Sequence, residues 1–189
     1  MKDTVRRELR ARLRALSPQE REEAGNEIAR RVWTVPEVAD ARVLLLYAAL
    51  PEEVPTDAIA EEAWRRGITV AYPRCVTDTR AMTLHALQKL EELKAGSYGI
   101  REPDAAACPR VRTEEIDAAL VPGLGWDRVG GRIGRGAGYY DRLFAHPRWR
   151  GFRCGLFFAA QEAAALPVDP WDAPLDAVVT ERESIRSGR

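Results

Sequence analysis

Arg42-Val-Leu-Leu-Leu-Tyr47, a helical stretch opened by Pro55-Thr56 and running through Arg66, then Gly67 and Ile68-Thr-Val-Ala-Tyr72-Pro73 together decide the fold. The two runs are short and apolar and flank a helical stretch, so they read as strands. Gly67 stops the intervening helix because glycine tolerates the left-handed conformation that ends helices. The result is a β-α-β unit. Neither strand alternates apolar with polar residues, so both faces are covered, which is the mark of a parallel sheet between helices.

Working outward, the same logic extends in both directions. Val5, Leu9, Leu13 and Leu16 recur at helical spacing, and Ser17-Pro18-Gln19-Glu20 supplies an N-cap, a first-turn proline and the reciprocal glutamate of a capping box. Two helices therefore open the chain. Downstream, strands are expected at Met82–Leu87, Ala118–Val121, Phe152–Phe158 and Ala177–Thr180, with helical pieces at Leu87–Lys94 and Tyr139–Phe144 and a surface loop at Ala105–Ala107. There is no internal repeat or linker. At 189 residues the chain suits one domain, 1–189, burying roughly two-thirds of its unfolded surface. The fold class is three-layer α/β/α with a mostly parallel, Rossmann-like central sheet.

Composition narrows function by exclusion. Lys plus Arg and Asp plus Glu are 29 each, so no global field draws the protein to nucleic acid or a membrane, and any basic site is local. Cys75, Cys108 and Cys154 are odd in number and widely spaced, as in a reduced, cytoplasmic protein. No apolar run approaches the ~20 residues of a membrane span, and the charged N-terminus has no signal-peptide core.

The chemistry concentrates after the strand ending at Val121. Between Gly123 and Gly138 lie seven of the 14 glycines, at 123, 125, 130, 131, 134, 136 and 138. Glycine lets successive backbone N–H groups converge on an anion, and a helix starting near Gly138 adds its own free amides. Between Asp127 and Arg153 seven arginines (128, 132, 135, 142, 148, 150, 153) face two aspartates (127, 141), a local excess suited to polyphosphate, with Asp141 placed for a cation. The segment is neither a P-loop nor a Rossmann fingerprint. A structural loop, a Gly/Arg module binding single-stranded RNA, and a sugar-phosphate isomerase or transferase stay open on these residues alone.

The stretch Pro122–Arg142 resembles the signature of the 5-formyltetrahydrofolate cyclo-ligase (methenyltetrahydrofolate synthetase) family. Lys2 with Arg6, Tyr47–Thr56 with Glu53, Tyr98-Gly-Ile-Arg-Glu-Pro103, and Ala159–Gln161 through Leu166-Pro167 to Asp172, Asp176 and Thr180-Glu181 resemble its other elements. The resemblance implies the NagB/RpiA/CoA-transferase-like architecture and a monomer that closes a ring on a small folate, with ATP and Mg²⁺ and without nucleic acid. It assigns ATP to Lys2, Arg6, Arg132, Gly134, Arg135, Gly136, Ala137, Gly138, Tyr139 and Tyr140. The folate falls to Ala48, Glu53, Tyr139 and Tyr140, the metal to Asp141 and Asp172, and the catalytic roles to Arg135 and Tyr140. Ala137 replaces the glycine or longer basic residue common in the family, which throws the γ-phosphate contact onto Arg135. Chemically, the phosphoryl group of ATP turns the formyl oxygen into a leaving group and N10 attacks, so alignment and charge neutralisation are the protein's tasks. His85 and His146 read as structural.

Overall fold

The structure, a computed structural model, describes residues 1–188. Helices α1 (Lys2–Ala15) and α2 (Pro18–Arg31) open it. Leu9 and Leu13 form the buried stripe of α1, each such side chain contributing about 1.5–3 kcal/mol. The capping box closes both ways: Glu20 N–H donates to Ser17 Oγ at 3.2 Å and Ser17 N–H to Glu20 Oε2 at 2.8 Å. A short helix, α3 (Pro36–Ala39), leads into β1 (Val43–Leu45), α4 (Asp57–Arg65) and β2 (Thr69–Val76). The parallel pairing of β1 with β2, from Val43–Thr69 to Leu45–Ala71, confirms the β-α-β unit. Thr56 does not cap α4 through its side chain as expected. Its hydroxyl donates instead to the carbonyl of Tyr47 at 2.5 Å, tying the helix start to the end of β1.

Three further expectations need correction. β2 does not stop at Pro73 but runs to Val76, because β1 ends at Leu45 and leaves that edge of β2 unpaired, where a missing N–H costs nothing. The helical piece expected over 87–94 shrinks to one 3-10 turn at Leu90–Glu92: β3 (Ala81–Leu87) continues the antiparallel ladder to Leu87, and β4 (Leu93–Ala95) begins a hairpin with β5 (Arg101–Pro103). The glycine-rich segment is half structured. After β6 (Arg110–Val111) and β7 (Ala118–Val121), the strands β8 (Gly125–Trp126) and β9 (Arg132–Ile133) form a hairpin whose turn is held by buried Asp127, which accepts the amides of Val129, Gly131 and Leu166.

Helix α5 (Tyr139–Phe144), β10 (Phe152–Leu156), β11 (Ala177–Val179) and β12 (Ser184–Arg186) complete the chain. The eight-stranded sheet runs β12-β11-β10-β7-β1-β2-β3-β6. Its five central strands are parallel and its edges antiparallel. Side chains from α1 to α4 bury one face and α5 with Trp149 the other, giving the expected three layers. From β1 the chain turns to β2 on one side, whereas β7, β10 and β11 build the other. β1 and β7 therefore flank the point where strand order reverses, and open α/β sheets place their ligand clefts beyond the strand ends there.

Candidate functional site

A cleft of about 780 Å³ occupies that position. Tyr47 and Ala48 enter it after β1, Pro122 and Gly123 after β7, and Pro73 and Cys75 from the unpaired edge of β2. Every residue assigned a site role from sequence lines this cleft, from Lys2 and Arg6 through Ala48, Glu53 and the 132–141 segment to Asp172. α1 reaches it because Leu9 packs on Gly125, where an added Cβ would stand 2.4 Å from Leu9 Cδ1. Arg6 Nε then donates to the carbonyl of Gly134 at 3.0 Å.

Arg135, Arg132 and Lys2 are each paired with carboxylates in the cleft. Arg135 donates to Glu53 at 3.0 Å through Nε and to Glu52 at 3.0 Å through Nη2. Arg132, nearly buried, donates from Nη2 to Asp141 Oδ1 at 2.9 Å, lies over the Tyr140 ring at 5.7 Å, and keeps a buried Nε with no protein acceptor. Lys2 bridges Asp169, at 2.7 Å, and Asp172. Burial opposes the charge on Lys2, but the two aspartates outweigh it and raise its pKa. Burial likewise opposes the charge on Arg135, and Glu53 and Glu52 prevail. The Tyr140 phenol is pushed well up by burial and then by Glu53, so it is a neutral hydrogen-bond donor at any physiological pH. Its ring is also a core element against Phe144.

The expected phosphate cradle fits an anion. Gly136 and Gly138 have φ of 114° and 69°, and no backbone N–H from Gly134 to Tyr140 donates to an acceptor among the described residues. Ala137 uses its carbonyl to hold Arg142 at 2.8 Å. Asp141 and Asp172 are brought near one another: the amide of Ala173, next to Asp172, donates to Asp141 Oδ1 at 3.3 Å. No cluster of three or more His, Cys, Asp or Glu side chains is arranged around a metal among the described residues.

Sequence reasoning overestimated the basic character of the segment. Arg128 pairs with Glu162 and Glu183, Arg148 with Glu114, Arg153 with Asp176, and Arg150 with backbone carbonyls. Only Arg132, Arg135 and Arg142 of the seven reach the cleft. That dispersal gives no continuous basic track, and neither the RNA-binding nor the sugar-phosphate alternative gains support. The C-terminal elements are mostly structural: Gln161 accepts from Phe158 N–H and donates to the carbonyls of Gly123 and Leu124. His85, buried, bonds Thr83 and the carbonyl of Cys108. Missed were Cys75, Asp169 and Trp171, which no local motif marks as belonging to a cleft, and Glu52, the second partner of Arg135.

The chain matches the model of the 5-formyltetrahydrofolate cyclo-ligase family over residues 1–181. It is 30% identical to the 5-formyltetrahydrofolate cyclo-ligase of Escherichia coli strain K12, over 91% of this chain and 96% of that one. The cyclo-ligase of Mus musculus is also 30% identical, over 94% and 92%. A solved structure of Aquifex aeolicus 5,10-methenyltetrahydrofolate synthetase superposes with a TM-score of 0.85 at 30% identity, covering 100% of this chain and 94% of that one. With the fold, the cleft and the signature loop in agreement along the chain, it belongs to the 5-formyltetrahydrofolate cyclo-ligase family.

Proposed function

We propose that this protein converts 5-formyltetrahydrofolate to 5,10-methenyltetrahydrofolate, with ATP going to ADP and phosphate. The observation that carries the reading is the convergence of Lys2, Arg6, Arg132 and Arg135 with the free amides of Gly134–Tyr140 in one cleft that also holds Ala48, Glu53 and two tyrosines. When bound, ATP supplies the phosphoryl group that makes the formyl oxygen a leaving group, so that N10 can close the ring.

The protein's residues align and neutralise. Arg132, Arg135, Lys2 and Arg6 hold the phosphates, and the loop amides bind oxygens that the side chains leave free. Each of Arg132, Arg135 and Lys2 already carries a carboxylate partner, so phosphate binding exchanges partners instead of adding charge to an unbalanced site. The exchange frees Asp141 and Asp172, and Mg²⁺ ordinarily takes one or two carboxylates plus phosphate oxygens and water. Tyr140, kept protonated, donates to the reacting oxygens, while Ala48, Glu53 and Tyr139 bound the folate. We read the protein as a cytoplasmic monomer with neither nucleic acid nor membrane as partner. Three free cysteines support the cytoplasmic part of that reading.

The test is direct. Purified protein with 5-formyltetrahydrofolate and Mg-ATP is expected to raise the absorbance of methenyltetrahydrofolate with equimolar ADP. Folded protein that gives neither product overturns the assignment.

A further inference from the structure

Glu102 is 6% exposed, lines the cleft and has no cation: no Lys, Arg or His nitrogen among the described residues lies within 4.0 Å of its carboxylate. Its polar protein contacts are with Cys75, whose amide donates to Oε1 at 3.1 Å and whose thiol lies against the carboxylate. That amide is on the edge of β2 left open beyond the end of β1, two residues past Pro73. The basic side chains nearest in sequence or register are committed elsewhere. Arg101 donates to Asp57 at 3.1 and 3.2 Å, and Lys94, opposite Glu102 in the hairpin, donates to the carbonyl of Glu91 at 3.0 Å. No N–H or O–H donor among the described residues reaches Oε2. A carboxylate that lines a cleft without a cation keeps acceptor capacity for the donors of a ligand.

Glu53 is in the opposite condition. Its Oε1 is taken by Arg135 and its Oε2 by the amide of Leu50 at 3.0 Å. Of the two carboxylates, only Glu102 is without a cationic partner among the described residues.

The surroundings of Glu102 suit a flat ligand. Gly96, across the hairpin, leaves the space the carboxylate fills: an added Cβ would stand 2.5–2.7 Å from Glu102 Cγ, Cδ and Oε2. The same turn holds Tyr98 at a φ of 57°, a strained value for a bulky residue, and so sets its ring edge-on to Tyr139 at 6.2 Å, with Tyr139 donating to the Tyr98 hydroxyl at 3.3 Å. Two aromatic rings and a cation-free carboxylate thus form one wall.

Resting on the functional reading above, we propose that Glu102 recognises the pterin ring of the folate. The adjacent N3–H and 2-amino donors of a 2-amino-4-oxopterin face its carboxylate, one bonding to Oε2 and the other to the second lone pair of Oε1. The ring lies beside Tyr98 and Tyr139. Glu53 holds Arg135 until phosphate takes it, and then borders the folate.

Equilibrium binding of 5-formyltetrahydrofolate and of a non-hydrolysable Mg-ATP analogue to wild type and Glu102→Gln tests this, together with a 5-formyltetrahydrofolate analogue bearing methyl in place of the 2-amino group. In the variant the amide oxygen keeps the Cys75 N–H and turns its NH₂ toward the pterin donors. Folate affinity is expected to fall about 10- to 100-fold with nucleotide affinity unchanged, the range for hydrogen bonds to a charged group. Wild type is expected to lose a similar factor for the methyl analogue, and the variant to bind both folates equally. Should the variant not fold, the analogue comparison on wild type decides alone: equal affinity for the two folates overturns the proposal. Unchanged folate affinity in a folded variant, or parallel loss of folate and nucleotide, also overturns it. In each of those cases wild type still binds and cyclises 5-formyltetrahydrofolate. If wild type does neither, the functional reading itself has failed and the proposal with it.

Discussion

Arg135 and Glu53, 82 residues apart in sequence, meet in a 3.0 Å hydrogen-bonded ion pair that fastens the glycine-rich loop to the chain leaving β1. One is assigned to phosphate and the other to folate, and without either ligand they bind each other. Arg135 is one-third exposed, so the pair adds little to stability, roughly 0–1 kcal/mol. Arg135→Ala is therefore expected to leave the melting temperature within a few degrees of wild type. The same variant should lower kcat by about 100-fold or more, as removal of a preorganised donor does. Calorimetry with an ADP-release assay checks both, and a collapse of melting temperature equal to the collapse of activity would refute the assignment.

Asp141 accepts from Arg132 Nη2 and from Ala173 N–H, so it positions the loop even without metal. Asp141→Asn keeps an acceptor for either donor and removes the charge. If the carboxylate also holds Mg²⁺, turnover should drop about 100-fold and the magnesium concentration for half-maximal rate should rise several-fold. Asp172→Asn should show the smaller shift, since Lys2 and Asp169 remain. Magnesium titrations at saturating ATP separate this from a purely structural effect, which would lower the rate without moving the magnesium midpoint.

The division between what was legible and what was not follows from the range of the interactions. The Leu9–Leu13 stripe, the Ser17–Glu20 box and the stop at Gly67 are local, and each appears as read. The strand Leu44–Leu45 and its parallel partner were legible because burial on both faces removes alternation. Pro73 misled because its tolerance depends on β1 ending early, a property of the neighbouring strand. Leu87–Lys94 misled because pairing of Leu87 with Val70 overrides helical spacing. The site divides the same way. Glycines and arginines at 132–138 marked the phosphate region, but which arginines face it is set by Glu162, Glu114 and Asp176, distant in sequence. Glu102 was visible only as part of a motif; its lack of a cation is a tertiary fact.

Gly125 links core packing to the cleft. A methyl there would stand 2.4 Å from Leu9 Cδ1 and 3.2 Å from the carbonyl of Gln161, so Gly125→Ala forces α1 outward. Overpacking of this kind costs about 1–3 kcal/mol, or roughly 2–12 °C in melting temperature for a chain of this size. Because α1 carries Lys2 and Arg6, KM for ATP should rise more than KM for folate. Steady-state kinetics measure that ratio, and equal rises in both constants would mean that α1 does not serve the nucleotide.

Cys75 reports on Glu102. Burial and then the nearby Glu102 carboxylate push its thiol up to about 11, so the thiolate that alkylating agents need is scarce at neutral pH. The sign is fixed by which form is disfavoured: a group that resists ionisation in the folded protein gains reactivity only as pH rises toward that value. In a variant with Cys108 and Cys154 replaced by alanine, iodoacetamide modification of Cys75 should therefore climb steadily from pH 7 to pH 10 without a plateau. Adding Glu102→Gln removes one of the two causes, and the rate at pH 8 should increase several-fold with the profile shifted to lower pH. Saturating 5-formyltetrahydrofolate should protect the thiol in the parent, because the pterin would cover the wall that Cys75 and Glu102 share, and should protect it less in the Gln form. Mass spectrometry of the labelled protein gives all three rates. An alkylation profile that ignores both Glu102 and folate would separate Cys75 from the cleft chemistry and leave Glu102 as no more than the acceptor of one backbone amide.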